Sequence, residues 1–160
     1  MNEDFYFNEL VNQAVLLKLN YKKTVKQFYP NSTKFSEKEI QILKLLAEDI
    51  FRYFGLGCRN VTRLFIPKDY VIDRIFESFL DFQDIINHNK YANNYDYNRA
   101  VYLLNQDIFW DNNFVMLKED EKLFSPLSVI NFSRYSSLDE VKNFITENEE
   151  NINKKIRRFL

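Results

Sequence analysis

The chain has 160 residues, of which 46% are hydrophobic and 17% aromatic, enough apolar material for one compact domain. Its 22 basic and 23 acidic residues nearly balance, so no overall field favours nucleic acid or an anionic membrane as a partner. One cysteine and one histidine exclude an internal disulfide and fall short of a four-ligand zinc site, so no metal is expected. No apolar run approaches the roughly 20 residues of a membrane span and the start is acidic, which predicts a cytoplasmic protein.

The first elements in chain order are two predicted helices. Apolar side chains recur at near-helical spacing over residues 4–19, and turn-forming residues over 28–33 then indicate a connection. Ser36 and Glu39 have the spacing of a capping box, which predicts the start of a second helix. Its apolar stripe continues to Gly55, a residue that commonly ends helices.

A strand and a helix are expected next. Residues 61–66 are β-branched and aromatic and are closed by Pro67, which is typical of a buried strand. Residues 70–86 place apolar side chains on one helical face. The polar and aromatic stretch 87–97 predicts a loop, followed by a short helix near 98–104.

Two more strands and a last helix complete the pattern. Residues 114–117 and 127–132 predict strands that are neighbours in one sheet. Ser137 and Glu140 form a second capping box, which opens a helix that runs close to the C-terminus. The alternation of strands and helices predicts an α/β fold.

The two glycines, Gly55 and Gly57, both lie within three residues of Cys58. A lone intracellular cysteine is more often a small buried hydrophobe than a nucleophile, so its position alone leaves both interpretations open. The predicted helix before it ends towards Cys58, and the negative end of a helix dipole disfavours a thiolate. Any activation of Cys58 therefore has to come from other groups.

A longer run, residues 54–67 with the sequence FGLGCRNVTRLFIP, resembles the nucleophile loop and following strand of the aldehyde dehydrogenase superfamily. The most similar member is the acyl-CoA reductase family. The resemblance continues through 86–98, 111–114 and 125–129, and it covers about residues 36–150. It divides the chain into an unmatched N-terminal helix and linker, 1–35, and a partial acyl-CoA reductase catalytic domain, 36–160, in which helices pack on a small sheet.

The resemblance implies a reaction centred on Cys58. The Cys58 thiolate attacks the carbonyl of an acyl-CoA and expels the CoA thiol, which leaves a thioester on the enzyme. Hydride from NADPH or NADH then gives an aldehyde. The Cys58 amide and Asn60 are candidate donors to the oxyanion, although Asn60 is more readily explained as a local hydrogen-bonding residue of the loop.

The chain departs from the family in its cofactor-binding half. It has too few glycines for a dinucleotide fingerprint and no room for a domain of that kind. Family members often carry a glutamate that contacts the nicotinamide ribose just before Phe-Gly-Pro, whereas residues 122–126 read KLFSP. No general-base glutamate can be matched in 1–35.

A fragment, a split subunit that needs a separate cofactor-binding chain, or a remnant is therefore expected. The alternative is a non-catalytic remnant or small interaction module with an inert cysteine. Because an incomplete sheet exposes its edges, self-association is also expected.

Other polar residues have two interpretations each. His88 is a candidate proton carrier near the thiol, but a polar loop residue is favoured. Tyr91, Tyr95 and Tyr97, with Lys90 and Arg99, could stack on adenine or bind CoA phosphates, but packing over a core edge is favoured. The basic residues of 154–158 suit a helix C-terminus and need no nucleic acid to explain them.

Overall fold

The computed structural model describes residues 15–16, 37–55 and 61–152 of the chain. It has the predicted α/β class, with helices packed on a small mixed sheet. The elements in chain order are β1 (Val15–Leu16), α1 (Glu37–Phe51), β2 (Arg63–Pro67), α2 (Asp73–Phe79), a 3₁₀ helix (Leu80–Asn87), α3 (Asn89–Leu104), β3 (Trp110–Asp111), β4 (Met116–Glu119), β5 (Val129–Tyr135) and α4 (Leu138–Glu147).

The strands form one sheet in the order β1-β2-β5-β4-β3. β1, β2, β5 and β4 run parallel to one another, and the short β3 pairs antiparallel with β4 at the edge. β4 and β5 are direct neighbours, with Met116 opposite Val129, which confirms the prediction for these two strands. Parallel strands are joined by crossovers that place helices on the faces of the sheet, so both faces are covered.

β2 shows how the sheet is buried on both sides. All five of its residues are buried. Leu64 and Ile66 contribute to the core that also contains residues of α1 and α2. Phe65, which lies between them, contributes to a second core with Val141 and Ile145 of α4, as expected where successive side chains alternate between faces.

The N-terminal prediction requires a correction at two residues. The helix predicted over 4–19 includes Val15 and Leu16, and the structure has a strand there, paired with Leu64 and Phe65. A short apolar run fits a helix or a buried strand equally well, and its periodicity does not separate the two. The rest of that prediction lies outside the described residues.

The loop predicted over 87–97 is wrong, because α3 runs through it from Asn89 to Leu104. Asn and Tyr are only moderate helix formers, which favoured a loop. Tyr91 and Tyr95 are buried on the inner face of α3, and this tertiary packing outweighs the local preference. The helix predicted over 70–86 is helical but divided between α2 and the 3₁₀ helix.

The predicted capping boxes are only partly visible. Ser36 lies outside the described residues, and the Glu39 carboxylate accepts from Tyr70 and Arg74. At α4 the Ser137 side chain makes no capping bond, whereas the Glu140 carboxylate accepts from the Ser136 amide at 3.1 Å. Within the described part of the chain, no helix has both the length and the apolar content needed to cross a bilayer.

Candidate functional site

Cys58 and Asn60 lie outside the described residues, as does the basic stretch 154–158. The structure does describe the residues on either side of Cys58. Gly55 ends the described part of the preceding segment, and Val61 begins the next, two residues before β2. The candidate site is therefore built from the surroundings of Gly55 and Val61.

The chain leaves α1 through a left-handed turn. α1 ends at Phe51, and the Phe54 amide donates to the Phe51 carbonyl at 2.9 Å. Phe54 and Gly55 both have positive φ, 55° and 71°. Gly55 thus has the conformation expected of a helix-ending glycine, although the helix itself ends earlier. Phe54 carries a side chain in this region, which costs roughly 1 kcal/mol.

His88 stacks on Phe54. The ring centroids are 4.4 Å apart and the ring planes differ by 28°. His88 is exposed and is the N-cap residue of α3, so it lies at the start of a helix and not within a long loop. The only histidine of the sequence therefore packs against Phe54, in the turn that follows α1 and precedes Cys58 in the chain.

Both described neighbours of Cys58 line one small cavity. Its volume is about 10 Å³, at the lower bound for one water molecule. Gly55 and Val61 form part of its wall, together with Tyr91 of α3 and the residues that begin β5, including Ser128 and Val129. The cavity therefore lies at the amino-terminal edge of the parallel strands.

The wall at the start of β5 is a tight turn. The Val129 amide donates to the Pro126 carbonyl at 3.2 Å, and Ser128 has a φ of 67°, as the third residue of a type II turn requires. Asn98, a buried residue of α3, donates from Nδ2 to the Leu127 carbonyl at 2.9 Å. Neither the turn nor Asn98 was recognised in the sequence, because Pro126 was the only turn signal.

Two of the three tyrosines considered in α3, Tyr91 and Tyr95, confirm the packing interpretation, and Tyr97 does not. Tyr91 and Tyr95 are buried, whereas Tyr97 is 69% exposed. Burial is the main reason that the pKa of both buried tyrosines is raised. Buried rings cannot stack on an adenine, so Tyr97 and the exposed Lys90 remain of the residues considered for the less favoured nucleotide-binding interpretation.

Asp111 in β3 joins Tyr95 and Arg99 to the edge of the sheet. The Tyr95 hydroxyl donates to Asp111 Oδ1 at 2.6 Å, and Arg99 Nε donates to Oδ2 at 2.7 Å. The same Oδ1 accepts from the Asn113 amide at 2.8 Å. The Arg99 side chain, which was a candidate for phosphate binding, is thus engaged with a carboxylate.

Tyr95→Phe is expected to lower the free energy of unfolding by about 1–2 kcal/mol, since it removes a short hydrogen bond to a carboxylate that is mostly buried. Arg99→Ala is expected to change it less, because Arg99 is half exposed and solvent screens its ion pair. Urea denaturation of both variants checks the ranking. A larger loss for Arg99→Ala would contradict it.

The segment 120–125, which contains the KLFSP stretch, is fixed through its backbone carbonyls. Arg63 donates to the carbonyls of Asp120 and Lys122 at 2.8 and 2.7 Å. Asn131 Nδ2 donates to the Lys122 and Phe124 carbonyls at 3.1 and 3.2 Å. These part-buried carbonyls gain partners from Arg63 and Asn131, so the two side chains help to fix the path of the segment.

Among residues 37–55 and 61–152, no group of three or more His, Cys, Asp or Glu side chains is placed to hold a metal ion. The cavity lined by Gly55 and Val61 does not fit a nicotinamide dinucleotide either, because about 10 Å³ is far too small.

Comparison of the chain with protein-family models, curated proteins and solved structures gave no match. The acyl-CoA reductase hypothesis therefore rests on the residues of the sequence that carry the resemblance.

Proposed function

We propose that this chain is the thioester-forming portion of an acyl-CoA reductase, with an aldehyde-dehydrogenase-like catalytic fold and Cys58 as its nucleophile. The observation that carries the proposal is the order of elements around Cys58. A buried parallel strand, β2, follows the glycine-flanked cysteine, as the resemblance to a nucleophile loop and following strand implies. The left-handed conformation of Gly55 further supports a tight approach to the cysteine.

The step assigned to this chain is acyl transfer. The Cys58 sulfur forms a bond to the carbonyl carbon of the acyl-CoA, and the bond between that carbon and the CoA sulfur breaks. CoA leaves as a thiolate and takes up a proton, while the acyl group stays on Cys58. The sequence has too few glycines for a dinucleotide fingerprint, so the proposal assigns the binding of NADPH or NADH to a separate cofactor-binding chain.

The experiment is intact-mass analysis after incubation with palmitoyl-CoA. We expect an added acyl mass that neutral hydroxylamine removes, since hydroxylamine cleaves thioesters. Cys58→Ala should lack this mass. A matched control combines Cys58→Ala with Ser136→Cys, which moves the single thiol to an exposed turn and measures uncatalysed exchange. Equal acylation of the wild type and this control would count against a catalytic Cys58.

The alternative is a non-catalytic remnant or small interaction module with an inert cysteine. The residue type favours it, because a lone cysteine is more often a small buried hydrophobe than a nucleophile. Under this alternative the wild type gains no hydroxylamine-sensitive mass above the Ser136→Cys control. The two functions are thus separated by one measurement.

A further inference from the structure

The outer side of α3 and the turn after it carry a concentration of exposed apolar side chains. Four of the twelve exposed large hydrophobic residues in the described part of the chain lie within residues 97–108. Three of these four, Tyr97, Leu104 and Ile108, are the most exposed of the twelve, at 69%, 83% and 79%, and the fourth is Leu103. Single exposed hydrophobic residues need no explanation, whereas a cluster of them marks an interaction surface.

Part of this cluster forms a stripe along the helix. Tyr97, Ala100 and Leu104 are three and four positions apart, so they lie one above another on the same face. Ala100 is exposed, and Val101 beside it is half-buried. The buried Tyr95 is on the opposite face, which packs on the sheet. We call residues 97, 100, 101 and 104 the outer stripe of α3.

The outer stripe offers little charge to a partner. None of its four side chains is charged. Arg99, which is nearby on the helix, is already bound to Asp111, with 2.7 Å between Nε and Oδ2. The exposed Lys90 and Asp96 on the same helix are of opposite sign. A strongly acidic or basic partner would therefore gain little, and an apolar surface of low net charge fits better.

A second copy of the chain provides a surface of this kind. In an antiparallel pair of α3 helices with a twofold axis near Ala100 and Val101, Tyr97 of each copy lies opposite Leu104 of the other. Such an interface is self-complementary, as twofold symmetry requires. The small side chain of Ala100 near the crossing point lets the two helices approach closely.

The exposed area agrees with a reversible dimer. Each of the four large side chains has on the order of 200 Å² of surface when fully exposed, so together they present about 500 Å² per chain. A standard interface buries about 800 Å² per partner. The cluster supplies more than half of that area, which corresponds to association that depends on concentration and not to an obligate dimer.

We propose that the outer stripe of α3 is a homodimer interface, through which two copies of the chain pack antiparallel with Tyr97 against Leu104. The proposal goes beyond the chemistry of Cys58 and does not depend on it. It also differs from pairing through open sheet edges, because the contact is made between helices.

The test is sedimentation equilibrium of the full-length chain over a range of micromolar concentrations, where we expect monomer and dimer in equilibrium. Leu104→Glu should raise the Kd of the dimer about tenfold or more, because it places a carboxylate in an apolar contact twice per dimer. Its high exposure means that this change should not unfold the chain. Leu45→Glu is the matched control, since Leu45 is also an exposed leucine in a helix, α1, and the Kd should stay within about twofold of the wild type.

A pair of variants tests the antiparallel arrangement. Tyr97→Lys and Leu104→Glu should each dimerise poorly alone. A mixture of the two should associate more tightly than either alone, because the introduced amine of one copy lies opposite the introduced carboxylate of the other. The second Tyr97–Leu104 contact of the mixed dimer remains as in the wild type.

Three results would overturn the proposal. A chain that stays monomeric at its highest soluble concentration would show that the outer stripe is not an interface between copies. A dimer that Leu104→Glu leaves intact would place self-association at another surface, such as the sheet edges. A mixture that associates no better than its components would exclude the antiparallel contact of Tyr97 with Leu104.

Discussion

Arg63→Ala is expected to lower the free energy of unfolding by about 3–5 kcal/mol, a large part of the stability of a domain of this size. Arg63 lies in β2 and is only 2% exposed. Its guanidinium donates to the Asp120 and Lys122 carbonyls and to the Ser133 hydroxyl. Alanine removes these donors from part-buried acceptors, and each group left unsatisfied costs about 1–3 kcal/mol, although the Lys122 carbonyl keeps its bond from Asn131.

Aromatic rings pack against the Arg63 guanidinium. Its guanidinium carbon lies 4.3 Å from the ring centroid of Phe144 and 5.0 Å from that of Phe65. Burial lowers the pKa of Arg63 to about 10, although the charges of Asp120 and Glu121 partly oppose this shift. Arg63 remains protonated at neutral pH, so the two rings and the carbonyls hold a buried cation.

Urea denaturation of Arg63→Ala, followed by circular dichroism, gives the change in the free energy of unfolding. Arg63→Lys should lose less free energy of unfolding than Arg63→Ala, since lysine keeps the charge. It should still be less stable than the wild type, because lysine lacks the planar fork that binds several acceptors. Arg52→Ala is the matched surface control, because Arg52 makes an exposed ion pair with Glu48, and a change within about 0.5 kcal/mol is expected. A loss below about 1 kcal/mol for Arg63→Ala would show that the segment 120–125 does not depend on this side chain.

Glu39→Ala is expected to cost about 3 kcal/mol, the second largest effect. Glu39 is in the first turn of α1 and is 3% exposed. Its Oε1 accepts from the Tyr70 hydroxyl at 2.8 Å and from Arg74 Nη1 at 3.3 Å. Removing the carboxylate leaves the mostly buried Arg74 cation without this counter-charge, which is the costly way to break a buried pair.

Thermal and urea unfolding of two further variants locate the cause. Glu39→Gln keeps an acceptor for Tyr70 but loses the charge, so an intermediate loss is expected. Glu37→Ala, an exposed acidic residue two positions earlier in the same turn, should cost no more than about 0.3–1 kcal/mol through the helix dipole. If Glu39→Ala and Glu37→Ala were equally stable, burial of the Glu39 carboxylate would have no energetic role.

The elements with strong local signals could be predicted from the sequence. β2 is a β-branched and aromatic run closed by Pro67, and α1 has a regular apolar stripe. In both segments the spacing of the apolar residues and the residues that end the element indicate the same structure. The second half of α3 was predicted as a helix near 98–104, but its first half, residues 89–97, could not be predicted, because its Asn and Tyr residues favour other conformations locally. Burial of Tyr91 and Tyr95 against distant parts of the chain determines the helix, and such contacts are not visible in a single sequence.

The candidate site was predictable only where a residue type carries its own conformational preference. Gly55 was expected to leave α1 in a left-handed conformation, because glycine does so at low cost, and the structure has this φ. Ser128 adopts a similar φ without being glycine, and Asn98 reaches a carbonyl that is remote in sequence. Both depend on tertiary contacts, which residue type alone does not reveal.

The position of β2 in the sheet also constrains how the chain folds. β2 pairs on one side with Val15 and Leu16 and on the other with β5, so both partners are remote from it in sequence. Closing such long loops costs entropy before any strand contact is gained, which slows folding. During synthesis β2 emerges from the ribosome well before β5, and until then one side of this apolar strand is open to pairing with other chains. The interval between these two strands is therefore when the nascent chain is most prone to aggregate.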